Sequence, residues 1–138
     1  MRKTIWVVVP ILWCGMIYFF TQSSFFTSAS TDGKIASFFG ITDGRVVSTL
    51  NYLSRKSAHF ILFALLAVFI KLMTVNVKRS YWVAWIGASV YGLLDEYHQI
   101  YVAGRGPSLL DAGIDSAGAG AGLFIYYMTA RRLRTTKG

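Results

Sequence analysis

The sequence predicts an all-α, polytopic membrane protein with four transmembrane helices and short interfacial helices in the first outer loop. Of its 138 residues, 54% are hydrophobic and 14% are charged, whereas about a quarter are charged in a typical soluble domain. Four apolar segments follow one another, near residues 5–20, 58–70, 81–94 and 109–130. Basic residues flank these segments instead of forming a patch, so the net charge of +8 favours membrane topology over nucleic-acid binding.

The predicted spans cover residues 4–22, 55–72, 80–101 and 109–130 of a single domain, residues 1–138. Pro10 lies inside the first span, where a membrane helix tolerates it. That span superficially resembles a secretory signal. Because further apolar segments follow it, we expect it to be retained.

The third apolar segment is too short to cross a membrane alone. Its 14 residues, 81–94, extend about 21 Å at 1.5 Å per residue, against a hydrocarbon core of about 30 Å. The helix therefore crosses only by continuing through its polar end to about Tyr101. By the same argument the second span begins near residue 55 and carries Lys56 and His59 into the outer leaflet.

The distribution of basic residues predicts the orientation. With the N-terminus in the cytoplasm, nine Lys and Arg residues lie on the inner side and five on the outer side. We therefore expect both termini to be cytoplasmic.

The first outer loop, about residues 21–54, is too long for a simple turn. It predicts one short helix with Thr31 or Asp32 as N-cap and Gly40 as the residue after its end. A second short helix would place four apolar residues on one face: Val46, Val47, Leu50 and Leu53. Both would lie at the outer interface. A lid over the bundle is favoured over direct substrate binding.

Polar residues from all four spans are predicted to meet at one level of the outer leaflet. Charged groups at that depth are costly and normally face the bundle interior in pairs. Only six residues are acidic, and three of them lie within residues 91–111. The candidate substrate-binding residues are Ser24, Lys56, His59, Asp95, Glu96, His98, Gln99, Arg105, Asp111 and Asp115.

Several of these residues also have a structural interpretation. The polar residues at 95–99 can form an ion-pair knot that closes the helix ends. Asp111 can equally be the N-cap of the fourth span. Arg105, in a turn, can clamp a phosphate or a carboxylate, or pair with Glu96. Asp111 and Asp115 share a helical stripe with Gly118 and Gly122, whose smooth surface allows close helix approach.

No cofactor is expected. A metal site would have to use His59, His98 and the carboxylates, and no compact ligand spacing such as H-E-x-x-H occurs. The single cysteine, Cys14, permits no internal disulfide.

Four pieces of the sequence resemble the VanZ-like family. They are residues 22–24 (QSS), 56–60 (KSAHF), 95–111 (DEYHQ…GRGPSLLD) and 115–122 (DSAGAGAG). The resemblance implies a small integral membrane protein of the bacterial cytoplasmic membrane, and the family's namesake is linked to low-level teicoplanin resistance. It also implies these signature residues: Lys56, His59, Asp95, Glu96, His98, Gln99, Arg105 and Asp111. Asp115 stands where the family often has Asn.

Three functions follow as hypotheses. The preferred one is a module of the cell envelope that gives resistance to teicoplanin or a related lipoglycopeptide. It would bind a lipid head group, a lipid-linked cell-wall precursor or the antibiotic in its outer-leaflet pocket. The second is an intramembrane enzyme acting on a lipid-linked substrate, with Glu96, His98 or His59 as acid or base. The third is a small transporter or flippase, which four spans per chain make more plausible as a homo-oligomer.

Overall fold

The computed structural model describes residues 2–22, 28–101 and 108–136, and within them the chain forms five α-helices and no strand. They are α1 (Arg2–Gln22), α2 (Ser28–Phe39), α3 (Gly44–Met73), α4 (Ser80–Gln99) and α5 (Leu109–Thr135). The predicted all-α class is confirmed. In this described part, α3 alone is long and apolar enough to cross a membrane by length and composition, and Ile5–Thr21 is a shorter apolar helix.

The four long helices alternate in direction. The Tyr91 hydroxyl donates to the Cys14 carbonyl at 2.6 Å, and the Thr21 hydroxyl donates to Asp95 at 2.7 Å, so α1 and α4 run parallel. Lys56 faces Asp111 and His59 faces Asp115, so α3 runs parallel to α5. Phe63 packs near Tyr91 and Lys71 near Tyr81, so α3 runs opposite to α4. The ends of α1 and α4, the start of α5 and the middle of α3 around Lys56 and His59 therefore meet at one level of the bundle.

Small residues bring α5 against the backbone of α3. A Cβ at Gly118 would collide with the backbone carbonyl of Phe60. At Gly122 it would lie 2.5 Å from the carbonyl oxygen of Ala64. The predicted close approach along the glycine stripe is thus confirmed, and it forms the most extensive helix–helix contact of the bundle.

The predicted outer loop differs from the structure in two ways. Helix α2 begins at Ser28, so Thr31 and Asp32 lie inside it and the predicted N-cap is wrong. The second short helix is not a separate element, because α3 continues without a break from Gly44 to Met73. No glycine or proline follows Gly44 within α3, so nothing in the sequence interrupts the helix.

A glycine and two side-chain hydrogen bonds fix the connection between α2 and α3. Gly40 has a φ of 65° and ends α2, as predicted. Asp43 caps α3 by accepting a hydrogen bond from the Arg45 N–H at 2.8 Å. The buried Asn51 amide donates to Asp32 at 2.6 Å, which ties α2 to the side of α3.

The bundle has an apolar surface and several polar residues inside. Leu12 and Phe19 are exposed by 67% and 65%, whereas Asp95 and Asp115 are exposed by 2% and 0%. Small and aliphatic side chains fill most of the core around Phe63. A soluble protein shows the reverse distribution of charged and large apolar side chains. This arrangement fits a protein that is surrounded by lipid.

Candidate functional site

The site consists of four carboxyl groups at one end of the bundle, which we call the acidic cluster: Asp95, Glu96, Asp111 and Asp115. They make up four of the six acidic residues of the chain. The parallel pairing of α3 with α5 and of α1 with α4 brings them together. The site is therefore a consequence of helix order.

Asp95 links the ends of α1 and α4. Its Oδ1 accepts a hydrogen bond from the Thr21 hydroxyl at 2.7 Å, and its Oδ2 accepts one from the Gln99 amide at 2.8 Å. All three residues are buried. Both oxygens of Asp95 therefore have hydrogen-bond donors, and this carboxyl holds the bundle end together.

Glu96 points to the other side of α4, toward α5. Its Oε2 accepts a hydrogen bond from the backbone N–H of Ser108 at 2.8 Å. Its Oε1 is buried and has no hydrogen-bond partner among the residues that the structure describes. Glu96 also lines a cavity of about 360 Å³ between α4 and α5. Among the described residues, Oε1 is therefore an acceptor without a donor, in a side chain that lines a cavity.

His59 and Asp115 form a second pair, deeper in the bundle. The Nδ1 of His59 lies 3.3 Å from Oδ1 of Asp115, slightly beyond the about 2.7–3.2 Å of ordinary N–H···O hydrogen bonds. Neither oxygen of Asp115 has a closer partner in residues 2–22, 28–101 and 108–136. Asp115 packs against Gly92, where a Cβ would lie 3.2 Å from its own Cβ. Gly92 thus makes room for a fully buried carboxyl.

Lys56 forms an ion pair with Asp111 nearer the bundle surface. The Lys56 ammonium also lies 5.2 Å from the centre of the Tyr52 ring. Asp111 is not the N-cap of α5, so that interpretation is wrong. Ser108 takes this position, because its hydroxyl accepts from the Asp111 N–H at 3.3 Å. Asp111 is left in the first helical turn, where its carboxylate is free to meet Lys56.

His98 does not join the acidic cluster. It is exposed, its Nδ1 lies 2.9 Å from the carbonyl oxygen of Leu94, and its ring packs edge-on against Tyr18. The predicted residues Ser24 and Arg105 lie outside the described residues. The structure thus brings together seven of the predicted residues: Lys56, His59, Asp95, Glu96, Gln99, Asp111 and Asp115.

An apolar cavity of about 420 Å³ opens beside His59, between α1 and α3. Phe20, Ile61 and Leu62 form much of its wall, and Thr21 and Arg55 also line it. A hydrocarbon chain fits this lining, and the polar group that it carries would then lie next to His59. Two of its lining residues contact the acidic cluster, since Thr21 donates to Asp95 and His59 lies beside Asp115.

Three residues that shape the site are not among the predicted binding residues. Thr21 holds Asp95, the Ser108 backbone holds Glu96, and Gly92 accommodates Asp115. Gly92 precedes Asp95 by about one helical turn, so the spacing could have placed the two residues on one face of α4. In the described part of the chain, no group of three or more His, Cys, Asp or Glu side chains is arranged to hold a metal ion.

An apolar helix, an apolar bundle surface and buried charges at one end are the features of a small helical membrane protein. The family profile VanZ/LLP1 matches residues 6–131, which is most of the chain. The protein belongs to this family, and the resemblance inferred from the motifs is confirmed. No curated protein and no solved structure matches the chain.

Proposed function

We propose that α1, α3, α4 and α5 all cross the bacterial cytoplasmic membrane and that both termini are cytoplasmic. The four helices have 21, 30, 20 and 27 residues, and about 20 suffice for a crossing. Their polar side chains at positions 95, 96 and 115 are buried in the bundle, which removes the obstacle that those charges pose to insertion. The acidic cluster then lies in the outer leaflet.

Two single cysteines test this orientation. In a Cys14→Ser background, Thr42→Cys places a thiol between α2 and α3, and Val77→Cys places one between α3 and α4; both positions are exposed. A membrane-impermeant thiol reagent applied to intact cells should label position 42 alone, and position 77 only after permeabilisation. The opposite pattern would overturn the orientation.

We propose that the acidic cluster binds the polar head of a lipid-linked envelope ligand. Ligands of this class are a lipid head group, a cell-wall precursor and a lipoglycopeptide such as teicoplanin. The observation that carries the proposal is a set of buried acceptor atoms that form no close hydrogen bond within the described part of the chain: Glu96 Oε1 and Asp115 Oδ1 and Oδ2. Glu96 lines one cavity, and His59, the neighbour of Asp115, lines another. Buried acceptors without donors are costly, so a ligand that supplies amine or hydroxyl donors gains by filling them.

Isosteric changes in the cluster test this function. Glu96→Gln and Asp115→Asn keep the shape of the side chain and remove its charge. We expect each to abolish the protection against teicoplanin that the wild-type chain gives a susceptible host, with unchanged yield of folded protein in membranes. Asp43→Asn, outside the cluster, and His98→Ala should keep protection. A wild-type chain that protects no better than empty vector contradicts the teicoplanin assignment, and full protection by both cluster variants contradicts the site.

The His59–Asp115 pair favours a second candidate, an intramembrane enzyme. A carboxylate beside Nδ1 orients an imidazole and leaves Nε2 for proton transfer, and His59 lines the apolar cavity between α1 and α3. Mass spectrometry of lipids from cells with wild-type or His59→Gln protein separates the candidates. An enzyme produces a lipid species that the variant lacks, whereas a binding module leaves the two lipid profiles identical.

A further inference from the structure

The opposite end of the bundle contains a buried cation, Lys71, near the end of α3. Its side chain is only 6% exposed. The ammonium lies 4.7 Å from the centre of the Tyr81 ring and 5.8 Å from that of Tyr126, which belong to α4 and α5. A lysine near a membrane surface usually extends its ammonium into water. Lys71 instead is enclosed by two aromatic rings.

A second cation stands at the same end of the bundle. Arg134 lies in the last turn of α5, about two turns beyond Tyr126 on the same helix. Within the described residues, neither Lys71 nor Arg134 forms an ion pair with a carboxylate. All six acidic residues belong to α2, to the residue before α3, or to the acidic cluster. Within residues 2–22, 28–101 and 108–136, no carboxylate side chain thus balances the charges of Lys71 and Arg134.

Each of the two enclosing rings lines an apolar groove. One, of about 420 Å³, runs between α4 and α5 and is lined by Tyr81, Trp85 and Tyr127. The other, of about 450 Å³, runs between α3 and α5 and is lined by Leu65, Ile125 and Tyr126. Both grooves have almost wholly apolar walls and open on the apolar flank of the bundle. Their shape and lining suit acyl chains that lie along the helices.

We propose that this end of the bundle binds an anionic phospholipid, with the phosphate between Lys71 and Arg134 and an acyl chain in an adjoining groove. The phosphate supplies the missing negative charge, and the flexible lysine stem allows the ammonium to approach it. The general excess of basic residues on the cytoplasmic side explains the exposed Lys78 and Arg79. It does not explain a lysine buried between tyrosines beside an arginine. This site is separate from the acidic cluster and does not depend on what that cluster binds.

Native mass spectrometry of the full chain in neutral detergent tests the site. An equimolar mixture of phosphatidylglycerol and phosphatidylcholine is added, and the ratio of bound lipids is measured. Wild type should favour phosphatidylglycerol. Lys71→Met and Arg134→Gln should each lower the ratio about fivefold, which corresponds to the roughly 1 kcal/mol that a basic residue contributes at an anionic membrane surface. Lys78→Gln removes the same charge from an exposed position at this end and should leave the ratio within about twofold of wild type.

Three results would overturn the proposal. If wild type retains the two lipids equally, the protein has no preference for the anionic lipid. If Lys71→Met and Lys78→Gln lower the ratio of bound lipids equally, the anionic lipid is attracted by the overall positive charge of the surface and not by a defined site. Displacement of phosphatidylglycerol by inorganic phosphate alone shows a free-phosphate site instead of a lipid site. If Lys71→Met does not fold, the exposed Arg134→Gln variant decides the outcome.

Discussion

Gly118 of α5 lies against the backbone carbonyl of Phe60 in α3. This contact sets the spacing at which His59, the residue before Phe60, meets Asp115, one turn before Gly118. Because Gly118 has no side chain, the two helices come close enough for His59 to meet the fully buried Asp115.

Gly118→Ala should therefore destabilise the bundle, because the new Cβ meets backbone atoms that cannot turn away. Overpacking of this kind typically costs about 1–3 kcal/mol. Gly113→Ala is the matched control on the same helix, since nothing lies within 4 Å of a Cβ there. Thermal unfolding in detergent should show a lower Tm for Gly118→Ala only. Equal Tm values for the two variants would contradict the close contact.

Thr21→Val should loosen α1 from α4. Valine has nearly the same shape as threonine but cannot donate, so Asp95 Oδ1 loses the 2.7 Å hydrogen bond. A buried acceptor left without its donor costs about 1–3 kcal/mol. In Thr129→Val, the lost hydroxyl is exposed and donates only within α5. Chemical denaturation in micelles should give a clearly lower free energy of unfolding for Thr21→Val than for Thr129→Val. The reverse order would refute the role of Thr21.

Lys56 and Asp111 should show coupled effects on stability. Both side chains are about one-fifth exposed, so their pairing is screened only in part. We expect a coupling free energy of about 1 kcal/mol from a double-mutant cycle of Lys56→Met and Asp111→Asn. The two single changes should add without coupling when Lys56→Met is instead combined with Asp43→Asn. Additivity in the first cycle would contradict the ion pair.

Asn51→Ala should release α2 from the side of α3, because it removes the amide that donates to Asp32. Limited proteolysis should then cut the α2 region several-fold faster while α3 to α5 stay protected. The exposed Thr49→Ala, two residues away on α3, serves as control and should leave the cleavage rate unchanged. Unchanged cleavage of Asn51→Ala would show that α2 is held by other contacts.

The parts of the site that follow from helical periodicity were predictable. Asp111, Asp115, Gly118 and Gly122 share one face of α5, and all four contact α3. Gly40 was predictable as the end of α2, because glycine readily adopts a positive φ. The all-helical fold and the family were likewise evident from apolar segments and ordered motifs.

Other parts depend on tertiary contacts that periodicity does not encode. His98 follows Asp95 by three residues, which predicts the same face, but its ring lies by the Leu94 carbonyl and Tyr18. The N-cap of α5 is Ser108 and not Asp111, because several residues in that turn are good caps and the chain path selects one. The sequence shows Lys71 only as one basic residue beside an apolar segment, and the tertiary structure places the rings of Tyr81 and Tyr126 around it.

The unbroken α3 has a mechanical consequence. Its 30 residues form a rod of about 45 Å, some 15 Å longer than a hydrocarbon core of about 30 Å. Asn51, which anchors α2, and Lys56, which pairs with Asp111, are little more than one turn apart on this rod. The unbroken helix would therefore transmit a force on α2 to the acidic cluster without an intervening hinge.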